Sequence, residues 1–179
     1  MDNTNMGAAW VFTRSGTTWT QQGSKLVGSG NMGSPNQGIA VAINADGNTA
    51  LVGGYSDNSN LGAAWVFTRS GTTWTQQGSK LVGTGNVGAS NQGNAIGLSA
   101  DGNTALIGGS GDASFLGATW VFTRSGTTWT QQGSKLVGSG YSGSADQGAS
   151  ISVSGDGNTA LIGAYRDATN IGAAWIFTP

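Results

Sequence analysis

WVFTRSGTTWTQQGSKLVG occurs three times without a change, at 10–28, 65–83 and 120–138. The register extends outward from it. Trp10, Trp65, Trp120 and Trp175 stand 55 residues apart, as do Trp19, Trp74 and Trp129, Lys25, Lys80 and Lys135, and Asp46, Asp101 and Asp156. Self-similarity at a fixed period of this length marks a repeat architecture. The chain is one repeat domain over 1–179, with periods 7–61, 62–116 and 117–171 and a partial fourth copy, 172–179. That copy reaches Pro179, where the others carry Arg14, Arg69 and Arg124. Asp2 and Asn3 fall in the register of Asp57 and Asn58, so Met1 reads as a start residue added to a piece of a longer array.

Each period reads as four strands. In the second, GAAWVFTR (62–69) puts Ala63, Trp65 and Phe67 on one face and Ala64, Val66 and Thr68 on the other. Ser70-Gly71 is a turn signal, and TTWTQQGSKL (72–81) continues as the next strand. A Gly/Asn/Ser loop (82–93) leads to a short strand, NAIGLS (94–99). The Asp101-Gly102 turn and TALIGG (104–109) follow. No segment has helical periodicity, so the chain is predicted to be all-β.

Side-chain size selects among all-β architectures. The strands at 94–99 and 104–109 are built from small and aliphatic residues, and the hairpin carries Trp, Phe, Gln and Arg. Small inside and large outside is the taper of sheets radiating from an axis. The expectation is a β-propeller of four-stranded antiparallel blades: 94–99 innermost, 104–109 second, 117–124 third and 128–136 outermost. The alternative is a β-trefoil, which also has three four-stranded repeats. Three blades do not close a ring, since propellers use about four to eight. A homodimer would close six blades. Strands 148–154, 159–164 and 172–178 of one chain would accept 18–26 of the other, and 7–14 and 172–178 would contend for one third-strand place.

The motif series DGNTALIGG, an Asp/Asn loop, then Gly-Ala-Ala-Trp-Val-Phe resembles the FG-GAP repeat of integrin-α-type propellers, in its bacterial form, and does so in every period. Two elements depart from the family. Gln37-Gly38, Gln92-Gly93 and Gln147-Gly148 stand for Phe-Gly, and Gly53-Gly54-Tyr55 and its copies stand for Gly-Ala-Pro. Many family members also carry a calcium loop of several carboxylates between the first two strands. Here Asp46, Asp101 and Asp156 stand alone in their turns, too few for an ion that takes six or more oxygens. The resemblance implies a secreted or surface-exposed parent protein.

Composition narrows the chemistry. The chain has no histidine, cysteine or glutamate, and seven basic groups against eight aspartates leave a net charge of −1. Thiolate sites and disulfides are excluded, nucleic acid is disfavoured as a partner, and no apolar run is long enough to span a membrane. Seven periodic tryptophans argue against disorder despite 33 glycines. General acid–base work falls to Asp, Lys and Tyr, and the periodic aspartates suit turns that they cap. The expectation is a protein that is not an enzyme and holds no metal or cofactor.

Alternating strands place the loops in two sets. One end repeats DGN and TRSGTT unchanged; the other differs between copies, with SGNMGSPN, TGNVGASN and SGYSGSAD connecting blades and YSDNSN, SGDASF and YRDATN beside them. The varied end is the candidate ligand face, carrying Met32, Tyr55, Asp57, Asp112, Phe115, Tyr141, Asp146, Tyr165, Arg166 and Asp167. Trp10, Trp65, Trp120 and Trp175 read as core between blades. Trp19, Trp74 and Trp129 read as cover for the blade edge, with a sugar-stacking platform as the alternative. Two functions are consistent with this reading: a binding or adhesion module for a protein or glycan, and a structural repeat that self-assembles.

Overall fold

The computed structural model describes residues 5–179; Met1, Asp2 and Asn3, with their assigned register, lie outside the described residues. The described chain is all-β and forms four antiparallel sheets. The first is a hairpin of β1 (Phe12–Ser15) and β2 (Thr18–Gln21). The second runs β3 (Val41–Ile43), β4 (Thr49–Gly54), β5 (Ala63–Ser70), β6 (Thr73–Gln76), in sequence order. The third repeats it as β7 (Ala95–Leu98), β8 (Thr104–Gly109), β9 (Ala118–Ser125) and β10 (Thr128–Gln131). The fourth has three strands, β11 (Ser150–Val153), β12 (Ala160–Ala164) and β13 (Ala173–Phe177). No barrel closes among the described residues, so the β-trefoil alternative has no counterpart here.

Register is the same in each copy. Val52 faces Trp65, Ile107 faces Trp120, and Ile162 faces Trp175. The Asp-Gly turns set it. Gly47, Gly102 and Gly157 take positive φ (69°, 70° and 76°), and each preceding aspartate accepts the N–H two residues on, at 2.8, 2.9 and 3.1 Å. Successive turns are also tied together, because Ala45 N–H donates to Ala100 O (3.0 Å) and Ala100 N–H to Gly155 O (2.9 Å).

The core lies between sheets, since both faces of the third strand are apolar. Ala63, Trp65 and Phe67 pack back against Leu26 and the first hairpin, while Ala64 and Val66 pack forward against Ile96, Ile107 and Trp120. The small inner strands come closest. A Cβ on Gly97 would stand 3.3 Å from Val153 Cγ1, and one on Gly108 would stand 2.2 Å from Gly148 O. The size taper therefore matches the sheet order.

Two local features differ from the expectation. The outer strand, read as 72–81 and 128–136, pairs regularly only to Gln76 and Gln131. It then bulges through Gly78 and Gly133, at positive φ, and rejoins by the single bridges Ala64↔Leu81 and Thr119↔Leu136. One-turn elements α1 (Asp57–Asn60), α2 (Asp112–Phe115) and α3 (Asp167–Asn170) also occur where no helix is predicted. Each holds three consecutive non-glycine residues in left-handed conformation, such as Asn58, Ser59 and Asn60 at φ 48°, 57° and 68°. Right-handed helical periodicity cannot reveal such a turn.

Both third-strand candidates are in place in the single chain: 172–178 supplies β13 on β12, and 7–14 pairs with 18–26 in the first hairpin. Packing predicts opposite effects at two glycines. A Cβ on Gly83 would lie 2.1 Å from Trp120 Cδ1, whereas one on Gly155 would meet only Ala100 Cβ, at 3.5 Å. Gly83→Ala should destabilise by about 3 kcal/mol. Gly155→Ala restores the residue of the other copies and should be neutral or stabilise by up to about 1 kcal/mol, both read from urea unfolding midpoints.

Candidate ligand face

The two ends of the sheets differ in how they are held. At the repeated end, Arg69 N–H donates to Asn48 O and its Nε to Asn48 Oδ1 (both 2.9 Å), so the hairpin tip is fixed to the Asp-Gly turn. Arg69 and Arg124 also lie over Trp74 and Trp129, at 5.7 and 5.3 Å, and those indoles donate to Gln22 and Gln77 (3.0 Å each). Trp74 and Trp129 are half-buried and pack on the core, as edge covers do. Trp19 (63% exposed) covers nothing and Trp10 (49% exposed) is not core, because among the described residues no preceding sheet lies against the first hairpin.

At the varied end, the sheet connections lie against the left-handed turns. Met32 N–H donates to Asp57 Oδ1, Val87 N–H to Asp112 Oδ1, and Ser142 N–H to Asp167 Oδ1, each at 2.7 Å. Asp57 and Asp112 also form ion pairs with Lys80 and Lys135. All three aspartates are buried. They anchor the loops from beneath and present no carboxylate to solvent. Asp146 is buried as well.

The side chains presented outward are Met32, Phe115, Tyr141 and Tyr165, with Arg166 exposed and Tyr55 half-buried. In the third period Arg166 stacks on Tyr165, 5.4 Å to the ring, and its Nε lies 3.4 Å from Asp146 Oδ2. Asp146 raises the Tyr165 phenol above its usual range, first by hydrogen bonding and then by its charge. Asn36, Asn91 and Asp146 share one left-handed position (φ 56°, 56° and 60°), which explains the Asn/Asp choice there. Their neighbours across the loop change in step. Asn36 Nδ2 donates to Ser56 Oγ at 3.2 Å, Asn91 faces Gly111, and Asp146 takes Arg166.

Sequence reasoning missed the role of Gln37, Gln92 and Gln147. Each is buried and clamps both backbone groups of a glycine nine residues earlier. Gln92 Oε1 accepts Gly83 N–H at 2.6 Å and its Nε2 donates to Gly83 O at 3.0 Å. The only signal was the repetition of a polar residue at an otherwise glycine-rich position. Among the described residues no three His, Cys, Asp or Glu side chains come together in a metal-binding group. Compared with known proteins, the chain matches no protein-family model and no curated sequence.

Two predictions follow from the buried and turn aspartates. Lys80→Met leaves the Asp57 carboxylate buried without its cation and should cost about 3 kcal/mol, measured by urea unfolding. Asp46, Asp101 and Asp156 are held below the ordinary carboxylate range. The chief cause is the Asn48 N–H for Asp46 and the Ser99 and Ser154 hydroxyls for the other two. Depressed folded-state values mean that their stabilisation is full above about pH 4 and is lost as pH falls through the folded values. Asp101→Asn should therefore show a smaller drop in unfolding midpoint between pH 6 and pH 3 than the unsubstituted chain.

Proposed function

We propose that the chain is a non-catalytic β-propeller module of FG-GAP type that binds a protein or glycan through its varied loop end, within a bacterial parent protein that works outside the cell or on its surface. The strand order of the sheets and the approach of β7 to both β3 and β11 support a blade arrangement. The absence of His, Cys and Glu supports a binding rather than a catalytic role. The observation that carries the reading is the contrast between the two ends. One repeats its sequence and is tied down by arginine and aspartate. The other presents Met32, Phe115, Tyr141 and Tyr165 from loops anchored by buried aspartates. Aromatic groups on a rigid base are the means by which loops bind ligands at low entropic cost.

A second reading is that the repeat is a structural element whose property is self-assembly. The observation favouring it is apolar exposure at both ends of the row of sheets. Trp10 is 49% exposed while Trp65 and Trp120 are fully buried, and Leu161 is 45% exposed against 0% for Leu51 and 1% for Leu106.

A glycan array and a panel of purified extracellular-matrix proteins separate the two. Binding that falls at least about tenfold in Tyr141→Ala or Tyr165→Ala, and is unchanged in Thr127→Ala at the repeated end, is the expected result. Binding indifferent to the loop tyrosines, or none on either panel, would leave the structural reading.

A further inference from the structure

The full set of contacts between neighbouring periods is seen twice within the chain. A third copy is made only in part, by Trp175, which donates to Ser139 O at 2.8 Å, and the remaining halves stand unmatched at the two ends. Ser29 O accepts Trp65 Nε1–H at 2.8 Å, and Thr84 O accepts Trp120 Nε1–H at 2.7 Å. Gln22 accepts from Arg69 and Trp74, and Gln77 from Arg124 and Trp129. Gln76 accepts Ser29 N–H and Gln131 accepts Thr84 N–H, both at 2.7 Å. At 55-residue steps the next acceptor side chain is Gln132 and the next connecting N–H is that of Ser139, whose carbonyl is already taken by Trp175; both residues are exposed. The donors that would meet them are Arg14 and Trp19, and the acceptor is Gln21, all exposed on the first hairpin. A groove of about 450 Å³ also lies beside that hairpin, lined by Trp10, Phe12, Val41, Ile43 and Leu51. It occupies the place where a four-stranded sheet would carry its two inner strands, and the fourth sheet of a second copy offers β11 and β12.

The remaining question is the third-strand place, which β13 and residues 7–14 both fit. Resting on the propeller reading above, we propose that two copies close a six-bladed ring by exchange, the intact hairpin 7–26 of each chain displacing residues 172–179 from β12 of the other. Two observations favour this over retention of β13. Arg69 and Arg124 each give their N–H and their Nε to Asn48 and Asn103, at 2.8–2.9 Å. Asn158 is the third such residue; the Ala160↔Phe177 register, carried on by two residues, sets it opposite Pro179, with which it lines one groove and which has neither an N–H nor a guanidinium. Arg14 of a second copy supplies both. Entry of the whole hairpin also keeps the β1–β2 pairing, the Ala9↔Leu26 bridge and the Gly7↔Gln37 bridge. Keeping β13 would require 7–14 to peel away from all three. Displacing 172–179 breaks the β12–β13 ladder and the Trp175 bond to Ser139 O, and the entering Ala8–Phe12 segment, with Trp10 in Trp175's place, remakes them.

The test is cysteine cross-linking in a chain that has no cysteine of its own. Leu161 pairs with Ile176 across β12 and β13, and Val11 of a second copy would take the place of Ile176. Val11→Cys/Leu161→Cys, oxidised, should run as linked chains on a denaturing gel, because directly opposed strand residues lie within disulfide reach. Leu161→Cys/Ile176→Cys, oxidised, fastens β13 in place and should weaken dimerisation at least about tenfold, with recovery on reduction. Light scattering on the unsubstituted chain distinguishes the two ways of failing. A two-chain mass with no cross-link in the first variant, or full dimerisation of the second when oxidised, leaves the ring and overturns the exchange. A one-chain mass overturns the ring itself.

Discussion

The second, third and fourth sheets each depend on an indole seated against a glycine of the connection that precedes them, whereas Trp10 of the first hairpin has no such seat among the described residues. A Cβ on Gly28 would stand 2.1 Å from Trp65 Cδ1, and one on Gly54 would stand 2.7 Å from its Cζ3. Gly83 and Gly109 flank Trp120 at the same distances. The tryptophan thus lies between a connection from the preceding period and the second strand of its own sheet. The buried glutamines hold the seat open. Gln37 and Gln92 fix the backbone of Gly28 and Gly83, and the following residue then accepts the indole N–H. Because each seat draws on two periods, no period completes its own core, and stability accrues through neighbour contacts. The third seat differs. Ala164 stands where Gly54 and Gly109 stand, and Trp175 is only half-buried.

The same scaffold explains how one end can vary while the fold does not. The Asp57–Lys80 and Asp112–Lys135 pairs and the aspartate bonds to Met32, Val87 and Ser142 fix the loop backbone from beneath. Side chains above that anchor are released from structural duty. Where they do touch, they change together: Asn36 with Ser56 in the first period becomes Asp146 with Arg166 in the third. At the opposite end Arg69 and Trp74 bond Gln22, and Arg124 and Trp129 bond Gln77, of the neighbouring hairpin, so a change in one copy would have to be matched in the next.

Much of this was legible in the sequence for a physical reason. A period-two pattern with apolar residues on both faces requires cover on both sides, and the small inner strands require a taper; Trp65, Val66, Gly97 and Gly108 meet those expectations. Loop direction followed from strand alternation alone. What escaped depended on contacts between periods or on backbone conformations without a pattern. Nothing local marks Gln92 as a clamp on Gly83. Asp57 looks like a solvated loop carboxylate until Lys80, 23 residues later, folds onto it. The left-handed turn at 58–60 is written in Asn-Ser-Asn, but as Ala-Ser-Phe at 113–115, which no turn rule selects.

Near-identity of the copies has one more consequence. When an interface is repeated within a chain, the contacts that join periods also suit periods of different chains. The balance between one chain and two then rests on the few positions that differ. An in-chain strand such as β13 has the advantage of tethering, equivalent to a high effective concentration. A second copy offsets this only by adding contacts that the tethered strand lacks. At β12 those are a fourth strand, the Arg14 bonds that Pro179 cannot make, and cover for the indole and leucine faces that one chain leaves open. The ladder bonds cancel, since the entering and leaving strands carry nearly the same residues. What remains is apolar burial and a charged hydrogen-bond donor, both on the side of exchange.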